Sequence, residues 1–294
     1  VEWDQNAVDT FHLNFPEVPV YHGDIAKLSV GECLSMTRLK PGELDVFDGS
    51  PPCQGFSTVG NRQLEDPRNG LFREYVRLLR GLMPRVFVME NVSGMVKGKM
   101  KLIFAEILTE LKASGYQVKA RLMNAMYYGV PQSRQRMIFV GVRNDLGIEP
   151  SHPKPQTRPV TFGTIMQTGI QSDLDDCDLQ RWHIIPQGGN FMDLPKCLRT
   201  TAKFSNAFRK LATDQPAFTL QKNDNFSTGA FLHPTEPRHI TLTEKARIAS
   251  YPDTFLWSGN AREVTGCIGN SVPPLFMKAI AEHVRDSILA HLVT

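Results

Sequence analysis

Apolar residues follow two different periods along this chain, and the places where the period switches mark out its elements. Near the start, Ala7, Val8, Phe11 and Phe15 recur at helical spacing behind the triplet VEW, which predicts a strand end feeding a helix, and residues 18–21 read as a second short strand. Residues 44–47 form a short apolar run that fits a buried strand, and Gly49, Pro51 and Pro52 then stop the ladder and keep the backbone extended. Residues 71–82 and 101–112 mix apolar and charged positions as amphipathic helices. Between them, PRVFVMENV is an apolar strand that runs straight into Glu90. Residues 117–122 read as a strand, and YYGVPQSRQRMIFVGVR as a turn followed by a strongly apolar strand. Strands alternating with helices predict an α/β domain.

From about residue 150 the texture changes. SHPKPQTRP is a proline-rich linker, and residues 161–208 combine poor periodicity with many polar positions and the segment IIPQGGNFMDLP, which predicts a second, less regular unit. A helix follows over 242–250. A longer amphipathic helix over 274–292 packs back on the first domain. The expected division is a domain of residues 1–158 completed by 262–294, with a smaller unit and return hinge at 159–261.

Composition narrows the class more than the function. With 294 residues and 41% hydrophobic content the chain can bury a sizeable core. No apolar run approaches the ~18–20 residues of a membrane span. The opening VEWDQNAVD carries acids where a secretory signal would be basic, so a cytoplasmic protein without a membrane partner is expected. Cys33, Cys53, Cys177, Cys197 and Cys267 are odd in number, scattered and free of any C-x-x-C spacing, which points to neither a disulfide framework nor a metal site. A net charge of +3 permits a polyanion partner without requiring one.

The candidate chemistry gathers at the ends of the predicted strands, where open α/β sheets hold their ligands. Cys53 stands on the stiff turn after residues 44–47. By type alone it is a small buried hydrophobe. Glu90 emerges at the same sheet edge, where burial beside a nucleophile and an aromatic ring would raise its pKa and let it hold a proton near neutral pH; a capping or ion-paired glutamate is the plainer reading. Arg134 and Arg136 alternate with Ser133 and Gln135 and so share one face, either contacting substrate or guarding an exposed strand edge. Glu2, an acid just past a strand, has a ribose-binding precedent and otherwise is a solvated terminal acid. Asp24 is otherwise a turn residue. TVGNRQLEDPRNG, with Arg62 and Arg68, has the composition of a loop that could close over a polyanion. Lys196, Arg199, Lys203, Arg209 and Lys210 are interleaved with Phe204 and Phe208, a pattern that suits nucleic-acid contact as well as a charged surface.

Four strings then occur in one order: GSPPCQGFS around Cys53, ENV from Glu90, QSRQR from Gln132 to Arg136, and GNSVPP from Gly269. Together they resemble the cytosine-5 DNA methyltransferases of bacterial restriction-modification systems, over nearly the whole chain. The resemblance implies a Rossmann-like S-adenosylmethionine-dependent sheet with an irregular target-recognition domain, acting on a cytosine flipped out of a specific DNA sequence. It implies that Cys53 adds to C6, that Glu90 protonates N3, and that Arg136, with Arg134 beside it, hydrogen-bonds the cytosine carbonyl. For S-adenosylmethionine it implies Glu2 on the ribose, Trp3 stacked on adenine and Asp24 on the adenine amino group, with Ile25, Pro51, Leu71, Asn270 and Val272 completing the site. For double-stranded DNA it implies Gln54, Ser57, Arg68, Lys196, Arg199, Lys203 and Arg209. A monomer is expected, with a cognate restriction endonuclease as its partner in the cell. A tRNA cytosine-5 methyltransferase on the same scaffold is the nearest alternative, although GFS after the cysteine looks DNA-type; a non-catalytic DNA-binding protein or half-enzyme is the next. Relatives of this kind open on a strand and an F-x-G-x-G turn that this sequence does not contain. The sheet's first strand is therefore expected to be missing, leaving a gap between Glu2 and residues 44–47, and the chain to need a complementing N-terminal chain.

Overall fold

The central strands of this protein are near-continuous apolar runs, so both faces of their sheet must be covered. The computed structural model describes residues 1–52, 70–96, 100–199, 208–222 and 231–292. Cys53, Gln54, Ser57, Arg62, Arg68, Lys203 and Phe204 lie outside the described residues. In β2 (Val86–Val92) the first four residues are buried, and in β4 (Gln135–Arg143) burial runs unbroken from Met137 to Val142. β1 (Val46–Gly49) pairs parallel with β2, while β4 lies antiparallel between β2 and β3 (Tyr116–Asn124), giving the order β1-β2-β4-β3.

Alternation along these strands sorts their side chains onto two faces. Phe87, Met89, Met137 and Phe139 meet Tyr75 and Leu79 of α3 (Gly70–Leu82) and Ile103 and Ile107 of α4 (Met100–Ala113). Val86, Val88, Ile138, Val140 and Val142 meet Phe276, Ile280 and Val284 of α8 (Pro274–Ser287), a helix that starts on a proline at its first turn. Gly141 has to be glycine, because a Cβ there would overlap the fully buried ring of Phe87. The result is the expected Rossmann-like α/β arrangement, with helices on both faces of one sheet.

The opening segment departs from its predicted form. α1 (Gln5–Asn14) is present and capped by the Asp4 carboxylate. The strand expected over residues 18–21 is reduced to a single parallel bridge between Glu2 and His22, since Pro16 and Pro19 cannot donate to a ladder. Among the described residues no strand pairs with the outer edge of β1, and the Glu2–His22 bridge is not joined to the sheet. α2 (Val30–Thr37) was not expected; a capping box of Ser29 and Glu32 starts it.

The smaller unit is as irregular as its sequence. It holds α5 (Asp176–Ile184), a two-residue parallel pair of β5 (Arg209–Lys210) with β6 (Phe231–Leu232), and α6 (Leu242–Ile248). Its core is Phe162, Leu211, Leu220, Phe231, Ile240 and Ile248, and α7 (Ala261–Asn270) adds Val264 and Ile268 to it. The apolar face of α7 thus packs with the small unit, while α8 packs on the sheet. Arg238 and Glu244, 2% and 0% exposed, pair through both guanidinium Nη atoms at 2.8 and 3.0 Å. The same Glu244 caps its own helix through the backbone of Thr241. No helix among the described residues is long and apolar enough to cross a membrane.

Candidate active site

Two strand ends deliver the central groups. β1 passes through Ser50 into Pro51 and Pro52, and the buried Asn91 at the end of β2 donates its Nδ2 to the Pro51 carbonyl at 2.9 Å. That bond ties the ENV string to the residues just ahead of Cys53. On the same strand Glu90 accepts from the Nε of Arg136 at 2.6 Å, with both side chains 14% exposed. The antiparallel register makes this possible, for Val92 lies opposite Arg136 and Glu90 is the next residue on that face. The groups expected to address the base are thus brought together. The partner of Glu90 is a cation, and the two form an ion pair.

Sequence reasoning missed Asp48. In the parallel register Asp48 lies opposite Val88, so Glu90, two residues further, projects from the same face. Protein atoms crowd the Asp48 carboxyl while leaving part of its surface open. That burial, followed by the charge of Glu90, pushes it up to about 6, against a lowering bond from the Gly49 backbone. Its parity with Val46 and Glu90 was the available signal. A raised native pKa makes the folded protein bind the proton more tightly than the unfolded chain, whose carboxyl titrates near ~3.9. Stability is then highest below that value and is lost as pH rises through about 6. Water at the open surface weakens the effect. Melting temperatures measured from pH 4.5 to 7.5 should show Asp48→Asn gaining on the unaltered protein as pH rises; a constant difference would remove Asp48 from the site's electrostatics.

Arg134, two residues before Arg136, does something else. It is 3% exposed and donates Nη1 to the Leu220 carbonyl at 3.1 Å and Nη2 to the carbonyls of Gly269 and Ser271 at 3.0 Å each. Where the resemblance implies a place at the cytosine, the guanidinium is engaged by backbone carbonyls at the seam between the sheet and the small unit. Burial, then the charge of Arg136, pulls its pKa down to about 10, with Glu90 and Tyr251 opposing, so it remains a cation at neutral pH. Its Nε is buried and, among the described residues, has no hydrogen-bond partner. Gln132, also missed and 1% exposed, joins the same seam through the Leu220 amide and the Ile248 carbonyl.

On the cofactor side, the Glu2–His22 bridge sets Glu2 and Trp3 beside Asp24. One carboxylate oxygen of Glu2 accepts from the amides of Trp3 and Asp4 at 2.7 and 3.0 Å. A carboxylate has about four acceptor positions, which leaves room for a diol. The Trp3 ring is 80% exposed, a bare platform beside that acid. Asp24 accepts from the Ala26 amide at 3.0 Å, as a turn residue does, and the Ile25 carbonyl receives Arg77 at 3.0 Å. Leu71 is exposed at the start of α3, Asn270 is exposed at the end of α7, and Val272 packs on the α8 face of the sheet. α1 reaches α7 through Asn6 and the Cys267 sulfur at 3.5 Å. Burial raises the Cys267 thiol, as do the charges of Asp4 and Glu2, so the opening acids stand within electrostatic reach of the α7 end. A carboxylate with free acceptor positions next to an exposed indole has the chemistry to take a diol and a flat ring.

Among the described residues of the small unit, Arg199, Arg209 and Lys210 face inward. Arg199 donates to the carbonyls of Leu194 and Met192 at 2.9 and 2.7 Å. The Arg209 guanidinium lies 4.6 Å from the centre of the Phe218 ring, and the Lys210 ammonium 3.6 Å from that of Trp182. Arg199 and Arg209, expected to reach DNA, are thus engaged by protein groups, whereas Lys196 is exposed.

The Type II methyltransferase M1.HphI of Haemophilus parahaemolyticus is 32% identical over 300 residues, spanning 97% of this chain and 79% of that protein. The Type II methyltransferase M.NgoFVII of Neisseria gonorrhoeae is 31% identical over 297 residues, spanning 95% and 77%. In fold, the chain is similar to a DNA modification methyltransferase encoded within an Escherichia coli prophage, with a TM-score of 0.76 at 23% identity over 98% of this chain and 91% of that one. The family description C-5 cytosine-specific DNA methylase matches residues 1–286, and with sheet, strand-end residues and relatives in agreement the chain belongs to that family.

Proposed function

We propose that this protein transfers a methyl group from S-adenosylmethionine to C5 of a cytosine flipped out of a specific duplex DNA sequence. The observation that supports it most is the Glu90–Arg136 pair at the carboxyl edge of the sheet, beside a Pro51 carbonyl held by Asn91 two residues ahead of Cys53. The cofactor supplies an electrophilic methyl group. Cytosine C5 is too weak a nucleophile to take it unaided, so the Cys53 thiolate adds at C6 and pushes electron density toward C5. As the base enters, the ion pair opens: Arg136 turns to the C2 carbonyl, and Glu90, parted from its cation, takes up a proton from water and passes it to N3. After transfer a base removes the C5 proton and Cys53 leaves by elimination. A stacked base offers none of these atoms, so the cytosine must leave the helix.

Lys196, together with Gln54, Ser57, Arg68 and Lys203, contacts the DNA backbone in this reading. Changing Lys196 to alanine should weaken binding to every sequence alike and flatten the dependence of log affinity on log salt by about 1. An unchanged slope would take Lys196 out of the interface. The protein acts on bacterial DNA in the cytoplasm as a monomer, alongside a restriction endonuclease of the same specificity. Parallel methylation assays on duplex DNA and on tRNA, followed by bisulfite sequencing of DNA from an expressing host, test the substrate. Methylated tRNA with unmodified DNA would overturn the proposal.

A further inference from the structure

Three stretches of chain distant in sequence converge on one guanidinium. Arg134, at the start of β4, reaches the Leu220 carbonyl of the small unit and the Gly269 and Ser271 carbonyls at the end of α7. The latter two stretches touch backbone to backbone at that point, because a Cβ on Gly269 would overlap the carbonyl of Gln221. Around them Ser133 donates its amide to Ala217, Ala217 to Pro131, and the Thr219 hydroxyl to the Ser133 carbonyl at 2.8, 2.9 and 2.7 Å. A rigid fork of five N–H donors can serve carbonyls on two segments at once, which a single ammonium cannot. The cation also faces the carbonyl end of α7, where a positive charge is favoured. Asn270 lies between the two clamped carbonyls of the α7 end, and Val272 follows directly.

We infer that Arg134 is a positioning residue: by clamping the Gly269–Ser271 turn to the start of β4 it holds Asn270 and Val272 at the cofactor's methionine end and locks that turn to residues 217–222 of the small unit. It acts through the turn and leaves the base to Arg136. This rests on the S-adenosylmethionine reading above.

The test compares the full chain with Arg134→Lys, which keeps the charge and loses the fork, and with Thr219→Val, which breaks an exposed bond of the same seam. Amide hydrogen exchange in the folded state should quicken in Arg134→Lys by about tenfold or more within residues 217–222 and 266–273, on the scale of one lost charged hydrogen bond. The KM for S-adenosylmethionine should rise by a similar factor, with kcat and the KM for DNA little changed. Thr219→Val should leave the KM for S-adenosylmethionine unchanged. A loss of kcat at unaltered cofactor KM would place Arg134 at the base and overturn the inference. An equal rise in cofactor KM for Thr219→Val would also overturn it, by making the seam as a whole responsible. Absence of methyl transfer by the unaltered protein would count against the proposed function alone. The exchange measurement then decides: a quickened turn upholds the clamp, and a turn as protected in Arg134→Lys as in the unaltered protein refutes it.

Discussion

Replacing Cys53 by serine is expected to abolish methyl transfer while leaving DNA affinity within about a few-fold of its original value. The hydroxyl occupies nearly the same space and lacks the acidity that gives a thiol its nucleophilic anion near neutral pH. Backbone contacts to DNA come from other side chains, so binding should survive. Duplexes carrying 5-fluorocytosine sharpen the test, since fluorine cannot be removed from C5 as a proton. The unaltered protein should become covalently attached to such DNA and resist denaturing electrophoresis; Cys53→Ser should not. A serine variant that still methylates cytosine would end the covalent mechanism.

Glu90→Gln should lower kcat by about 10²–10⁴, the usual worth of a positioned proton donor, with much less effect on KM. The amide is isosteric and still offers an oxygen to Arg136, so the strand ends should keep their geometry. What it loses is a proton that can be given and taken back. Arg136→Met should cost at least as much and should destabilise the fold as well. Removing one member of a pair in which both side chains are only 14% exposed leaves the other as an uncompensated charge. Single-turnover methylation rates at saturating DNA and cofactor, with thermal melts of the same samples, separate the two effects. Full activity in Glu90→Gln would show that N3 is not protonated from this carboxyl.

The parts legible in the sequence were those fixed by local chemistry. β2 and β4 announce themselves as apolar runs because both their faces are covered, and α3 and α4 by their amphipathic period. α2 and α7 were not legible: VGECLSMT and AREVTGCIGN contain glycines and polar residues that break the pattern, and capping boxes carry the start signal instead. The stretch 18–21 forms only a bridge because Pro19 within it and Pro16 ahead of it cannot donate to a ladder. At the site, spacing alone puts Arg134 and Arg136 on one face. It could not say that one would meet a carboxylate on the neighbouring strand and the other carbonyls at Leu220, Gly269 and Ser271. Similarly, Arg199, Arg209 and Lys210 carry their charge in the sequence but not their direction, and nearby rings and carbonyls turn them inward.

The position of α8 in the chain has a consequence in time. The apolar face made by Val86, Val88, Ile138, Val140 and Val142 is complete once β4 ends at Arg143, but the helix that covers it begins at Pro274. A ribosome adding ~5–20 residues per second leaves that face open on the nascent chain for about 7–30 s. Throughout that interval the sheet presents a water-facing patch of valine and isoleucine while the small unit is still being made. Birth of this enzyme is therefore a race between synthesis of its last helix and association of half-finished sheets, and slow translation of the small unit or crowding of ribosomes on its message favours the aggregate.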